Sequence, residues 1–289
     1  MSMQKRWWRR AHLEESLFGV LMRLSAVVLV LALAGILGSV LVRGLPAMSW
    51  DMITKAPEGG FYLGGGGGLL NAILGSLYLA GGGTILAFLV SLPIALGLNV
   101  YAPSSRWALF TRLTLDVLWG VPSLVYGAFG FLIMISMGMR ASLGAGILVV
   151  SLLQIPIMVR GMDEVMRLIP SGQKEAAFGL GATKLEMARA VVLRQSLPGI
   201  FTAVLLAFGR GIGDAASVLF TAGFTDRIPT SLAGPAASLP LAVFFQLSSP
   251  FPEVRARGYA AALILTVLIL IVSGLSRALA RRLSRNVVN

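Results

Sequence analysis

Within the stretch FGRGIGDAASVLF, residues 208–220, an arginine and an aspartate interrupt a run that is otherwise apolar enough to cross a membrane. Read as helix, Arg210 and Asp214 stand at i and i+4 on one face, where a mutual salt bridge is within reach. An isolated Arg or Asp at the centre of a spanning helix costs about 2.5 to 3.5 kcal/mol on insertion scales, so such residues face a bundle interior or a wet cavity and find partners. Two readings follow. In one, each charge neutralises the other and neither meets a solute. In the other, Arg210 belongs to the path of a passing anion and Asp214 is its counter-ion or gate. Gly209 and Gly213 in the same stretch form a Gly-x-x-x-Gly pair, the spacing that lets membrane helices pack closely, here beside the pathway.

The remaining residues offer little other chemistry. The chain has no cysteine and one histidine, His12, which excludes thiolate catalysis, disulfides, Cys-ligated metals and histidine chemistry. No nucleophile and base combination or metal-ligand cluster supports an enzyme. None of the four lysines, Lys5, Lys55, Lys174 and Lys184, follows a glycine, so the phosphate-cradling G-x-x-x-x-G-K-[ST] loop is missing. Any ATP that drives this protein is bound by another chain, and no cofactor is expected in this one.

The elements that must hold the charge pair follow from composition. Of 289 residues, 56% are hydrophobic and 12% charged, with a mean hydropathy of +0.84, which places the chain in a bilayer as an all-α protein. Six apolar segments emerge, at about 20–42, 72–100, 113–138, 141–160, 196–224 and 258–280, each of spanning length. The net charge of +12 then reports topology rather than nucleic acid. With both termini cytoplasmic, 17 basic residues lie inside and 6 outside, and Arg210 completes the 24. Residues 1–19 form a cytoplasmic segment whose Trp7 and Trp8 sit at the membrane interface, and 20–289 form one transmembrane domain. The first apolar run is a retained helix rather than a cleaved signal.

Several local features refine this outline. GGFYLGGGGG, 59–68, reads as a flexible linker. LPLAVFFQLSS, 239–249, is too short to span and reads as a re-entrant or surface-lying half helix. In the third segment Pro122 kinks the helix, Gly120, Gly127 and Gly130 permit close approach, and Asp116 favours the helix N-terminus.

The cytoplasmic loop at about 161–195 is longer and more helical than a connector needs. Ser171 is expected to cap one short helix, with Gly179 and Gly181 at its end. A second begins at Thr183, because Thr183 and Glu186 have capping-box spacing. Two short helices at an angle make a knob for a partner to grip.

These residues carry a resemblance. Glu175, Ala176 and Ala177, followed at fixed spacing by Gly181 and then by Val191, Val192 and Leu193, are similar to the EAA loop of the membrane subunits of ABC importers. The motif's terminal proline is replaced by Arg194. Over nearly the whole chain, the segments 121–131, 175–193, 198–224 and 229–232 resemble the PstA-type permeases of bacterial phosphate importers. Their fifth-helix pattern, approximately G-R-A-I-G-E-T-A-P, meets Gly209, Arg210, Gly211, Ile212, Gly213, Asp214, Ala215, Ala216 and Ser217 here.

The resemblance implies a type I ABC importer permease fold in the bacterial inner membrane, with a PstC-type permease partner. It also implies a cytoplasmic ATPase dimer that binds ATP and Mg and docks on the knob, and an extracytoplasmic phosphate-binding protein. Arg210, whose planar donor fork suits phosphate oxygens, would then contact the anion. A permease for another oxyanion or solute, or an ATP-independent secondary transporter, are the rival functions.

Overall fold

The computed structural model describes the backbone over residues 2–59 and 66–284 and the side chains over 14–59, 66–275 and 277–278. Among these residues the chain is helical, without a strand. The helices are α1 (Ser2–Gly44), α2 (Trp50–Thr54), α3 (Leu70–Leu96), α4 (Arg106–Gly120), α5 (Ser123–Ser136), α6 (Leu143–Arg167), α7 (Ser171–Gly179), α8 (Lys184–Met187), α9 (Arg194–Ile212), α10 (Leu239–Leu247) and α11 (Pro252–Ser284). Five stretches are long and apolar enough to cross a membrane, and the bent pair α4–α5 makes a sixth.

Helix α6 is the central post. Helices α3, α4, α5 and α9 all pack against it, and α11 joins α9, α10 and α1. Met158, Met162 and Met166 recur every fourth residue along α6 and are fully buried, and unbranched thioethers fill the irregular gaps between α3 and α9. The same cluster continues through Met187 and Val192 to Ala177 of α7, so the knob is rooted in the core of the helix bundle. Helix α1 is attached differently. None of its apolar window is buried within the chain, and it is tied at its C-terminal end, where Arg43 Nη1 donates to the Tyr259 hydroxyl at 2.8 Å.

Two spans are broken where the sequence predicts continuity. The third segment is not one kinked helix: α4 and α5 meet at 99° across Val121 and Pro122, because Pro122 cannot donate into a continuing helix. At 15 and 14 residues, roughly 22 and 21 Å, neither crosses a hydrocarbon core of about 30 Å alone. The fifth span begins early and ends early. Lys184–Ile212 is one helical stretch with a π turn at Ala188–Leu193, and it stops at Ile212 instead of running to 224. Gly209, Gly211 and Gly213 lower helix stability at that end.

Residues 213–238 then run on to α10 without regular structure, and non-helical backbone inside a membrane domain must be satisfied by protein. Several of its groups are held by neighbouring helices. The N–H groups of Ser142, Leu143 and Gly144, at the start of α6, donate to the carbonyls of Thr221, Gly234 and Leu232 at 2.9, 2.7 and 2.8 Å. Asn71 Nδ2 of α3 donates to the Thr225 carbonyl at 2.6 Å, and the Leu239 N–H donates to Ser76 Oγ at 2.7 Å. A side chain at Gly75 would run into the Ala237 carbonyl, so α3 needs a glycine there. The half helix read at 239–249 forms as α10, capped by Ser238, whose Oγ accepts from the Leu241 N–H at 3.4 Å.

Other local expectations are revised. Asp116 lies deep in α4, whose N-cap is Ser105, and it pairs with Arg160 at 3.0 Å instead of favouring a helix start. Ser171 is the first helical residue of α7 and caps nothing; Pro170 precedes it. Gly127 and Gly130 do sit against neighbouring chain, at Ala216–Ser217 and Val149, whereas Gly120 faces open space. Residues 60–65 of the glycine tract lie outside the described residues, and so do the side chains of Trp7 and Trp8. At the tract's described end Gly67 adopts φ +103° and Gly68 lies tight against the Asp51 carbonyl, so these two glycines are packed structure rather than free linker.

Candidate functional site: a cavity at the broken helix

The two breaks fall at one depth. Gly211 packs on Gln154 near the midpoint of α6, and Ala203 and Gly199 pack on Gly161 and Val165 progressively toward its C-terminal end. The α9 terminus therefore stands about halfway along α6. Leu118, Trp119 and Val121, at the α4–α5 corner, face it. Between them lies a cavity of about 480 Å³, walled by Leu153 and Ile157 of α6 and by Leu206, with Glu164 at the end nearer the C-terminus of α6.

Arg210 lines this cavity and is solvent-exposed in the single chain. Among the described residues it makes no hydrogen bond and no ion pair. Its position in the last turn of α9 supplies a partner of another kind, because the C-terminal end of a helix carries roughly half a negative charge. The guanidinium thus keeps its donors free.

Asp214 is placed elsewhere. The argument that it shares a helix face with Arg210 fails because α9 ends two residues before it. Its side chain is 8% exposed, and Oδ2 accepts from the Ser217 N–H at 2.8 Å, closing the first turn of the irregular segment. No salt bridge joins it to Arg210 among the described residues, so the mutual neutralisation reading is not realised in this conformation. Within the described chain the Gly-x-x-x-Gly pair makes no close helix contact. Gly209 has nothing within 4 Å of where a side chain would begin, Gly213 lies beyond the helix, and the glycine that is tightly packed is Gly211.

A polar hub missed by sequence reasoning lies below the cavity. The Asp163 carboxylate, 1% exposed, accepts from Asn99 Nδ2 at 2.8 Å, from Arg112 Nε and Nη2 at 3.0 and 3.1 Å, and pairs with Arg167 at 3.2 Å. Arg112 Nη2 also donates to the Leu98 carbonyl at 3.0 Å. The hub fastens α4, α6 and the π turn after α3 together. One turn higher, Arg160 pairs with Asp116 and reaches Glu164 at 3.9 Å. Arg112 and Asp163 lie 51 residues apart, which leaves no periodic trace.

The knob is built by local rules of helix ending and capping. Helix α7 carries Glu175 and Ala176 on its exposed side and Ala177 against the core. It ends in Gly181 at φ +81°, where the Ala182 N–H donates to the Ala177 carbonyl at 3.1 Å and the Gly181 N–H to the Phe178 carbonyl at 2.9 Å. That pair of bonds is a Schellman ending. Thr183 and Glu186 then form the capping box: Glu186 Oε2 accepts from the Thr183 N–H at 2.8 Å, and Thr183 Oγ1 accepts from the Glu186 N–H at 3.3 Å. Leu168 and Leu180, 81% and 89% exposed, leave apolar surface bare on the knob. Among the described residues no cluster of three metal-ligating side chains occurs.

A bundle of spanning helices around a central post, two of them broken beside a mid-depth cavity, is the architecture of a multi-pass membrane protein with a pathway. Residues 87–285 match the family described as binding-protein-dependent transport system inner membrane component, and the chain belongs to that family. Among curated proteins, it is 34% identical over 245 residues to a phosphate transport system permease protein PstA of Yersinia pestis, covering 84% of this chain and 82% of that protein. It is 31% identical over 264 residues to the protein of the same name from Haemophilus influenzae, covering 91% and 92%. Among solved structures, a methionine ABC transporter, MetNI, in an inward-facing conformation superposes with a TM-score of 0.61 at 18% identity, over 74% of this chain and 95% of that one. An amino acid ABC transporter gives 0.58 at 20% identity, over 74% and 93%. These likenesses establish the type I importer permease fold and a multi-pass protein of the inner membrane.

Proposed function

We propose that this chain is the permease subunit of an ATP-driven importer of inorganic phosphate. It would form half of the translocation path and take its energy from a separate ATPase. One observation carries the reading. The helical stretch that begins at the knob, Lys184–Ile212, ends at the turn that holds Arg210 in the mid-depth cavity. Its 29 residues extend roughly 43 Å, so a displacement of the knob reaches the cavity along one continuous helix. A free guanidinium at that end presents the fork that matches phosphate oxygens. The name of the curated relatives points to the same anion.

The partners are a PstC-type permease that closes the open side of the cavity, an ATPase dimer carrying ATP and Mg, and an extracytoplasmic phosphate-binding protein. The excess of basic residues on the knob side supports a cytoplasmic position for both termini and the knob. Asp214 serves the break itself, and an acid there repels phosphate, so it acts as a gate rather than a ligand.

Purification from the native membrane should recover these three kinds of chain, and vesicles of the complex should take up phosphate against excess sulfate and molybdate. Uptake of either competitor in preference to phosphate would reassign the substrate, and uptake without an ATPase would remove the coupling. The knob has its own test. Glu175→Lys combined with Ala176→Arg changes only exposed positions, and it should lower ATPase retention about tenfold or more, as loss of an interface hot spot does. Unchanged co-purification and unchanged ATP-driven uptake would exclude docking at this loop.

A further inference from the structure

Gln154 lies near the midpoint of α6 and is completely buried. A glutamine in this position is expensive, because an amide removed from water needs partners for both its ends. It has one. Nε2 donates to the Ala207 carbonyl at 3.0 Å, in the last turns of α9, while Oε1 has no partner among the described residues. The amide occupies a slot between two glycines on different helices. A side chain at Gly211 would collide with Nε2, and one at Gly83 of α3 would stand 3.3 Å from Oε1. An apolar residue of the same length would fill this slot without leaving an orphan acceptor, so packing alone does not account for an amide here.

The neighbours indicate what the amide is for. Leu153 and Ile157, flanking Gln154 on α6, wall the cavity into which Arg210 projects. Ala207 is three residues before Arg210 and Gly211 is one after it, so the amide grips α9 on both sides of the arginine. The helix stops at Ile212, where Gly211 and Ile212 are buried and Gly211 lies against Gln154 and Val150 of α6.

We propose that Gln154 is the positioning residue for Arg210: its hydrogen bond to the Ala207 carbonyl fixes the last turns of α9 against α6 and sets the direction of the guanidinium. The consequence for transport rests on the phosphate-permease reading above; the positioning itself does not. The contact acts through α9 and touches no substrate.

Gln154→Met is the decisive variant, since methionine keeps the length and volume and removes the donor. In the full importer in membrane vesicles, it should leave assembly unchanged and lower saturated, ATP-driven phosphate uptake about tenfold, the equivalent of one hydrogen bond. Because the chain contains no cysteine, Arg210→Cys gives a single reporter thiol. Adding Gln154→Met should change the rate at which a membrane-impermeant methanethiosulfonate modifies that thiol by about fivefold. Wild-type uptake together with an unchanged labelling rate would overturn the proposal. Loss of assembly with Gln154→Met would overturn it too, making Gln154 a fold residue. If Arg210→Gln still transports phosphate, the reading of Arg210 falls, while the labelling rate still decides whether Gln154 positions residue 210.

Discussion

Replacing Arg210 with glutamine is expected to abolish phosphate uptake, by about a hundredfold or more, while the importer still assembles. The asymmetry comes from what surrounds the side chain. Among the described residues Arg210 has no ion-pair partner, so removing its charge strands no buried carboxylate. The α9 terminus, which offsets part of the charge, is held by Gln154 and by the packing of Gly211 rather than by the guanidinium. What is lost is the only cation among the residues that line the cavity. Arg210→Lys should fall between the two, since it keeps the charge and loses the planar fork. Uptake is measured in vesicles, with complex quantified in the same membranes. Wild-type transport by the glutamine variant would exclude a direct role for Arg210.

Asp163→Leu should do the reverse and remove the complex itself. Its carboxylate is surrounded by Asn99, Arg112 and Arg167, and Arg112 is itself only 14% exposed. Removing one partner of a buried pair leaves an uncompensated charge and destabilises by about 3 to 5 kcal/mol. Little folded complex should survive extraction. The double variant Asp163→Leu with Arg112→Met should recover much of the yield, because replacing both partners with apolar residues removes the stranded charge along with the pair. Single-variant complex with wild-type yield and melting temperature would show that the hub is dispensable.

The two charged centres differed in how readable they were. Arg210 stood out because one charge in an apolar run needs a reason. Arg112 and Asp163 did not, because each lies near a predicted segment end where charges are ordinary, and only the antiparallel course of α4 along α6 brings them together. The turn between the knob's two helices was legible to the residue, because capping-box spacing and a glycine in the left-handed region are local rules satisfied within a few residues, whereas the start of α7 was not, since Ser171 lies inside the helix instead of capping it. The end of α9 was not. Residues 213–224 are as apolar as a helix in lipid, and hydropathy cannot separate a chain shielded by lipid-like composition from one shielded by α3, α5 and α6. The trace it did leave is three glycines in five residues, read as packing when they mark a stop.

The irregular segment 213–238 bears on how the protein is made. Four of its carbonyls, those of Thr221, Thr225, Leu232 and Gly234, accept from the N–H groups of Ser142, Leu143 and Gly144 at the start of α6 and from the Asn71 side chain of α3, all of which precede it in the chain. When this stretch leaves the ribosome, the groups that must receive it have already been synthesised. For these four carbonyls, biogenesis does not require a bare peptide group to wait in lipid for a partner that comes later. Moving this segment ahead of α3 and α6 by circular permutation would take that order away.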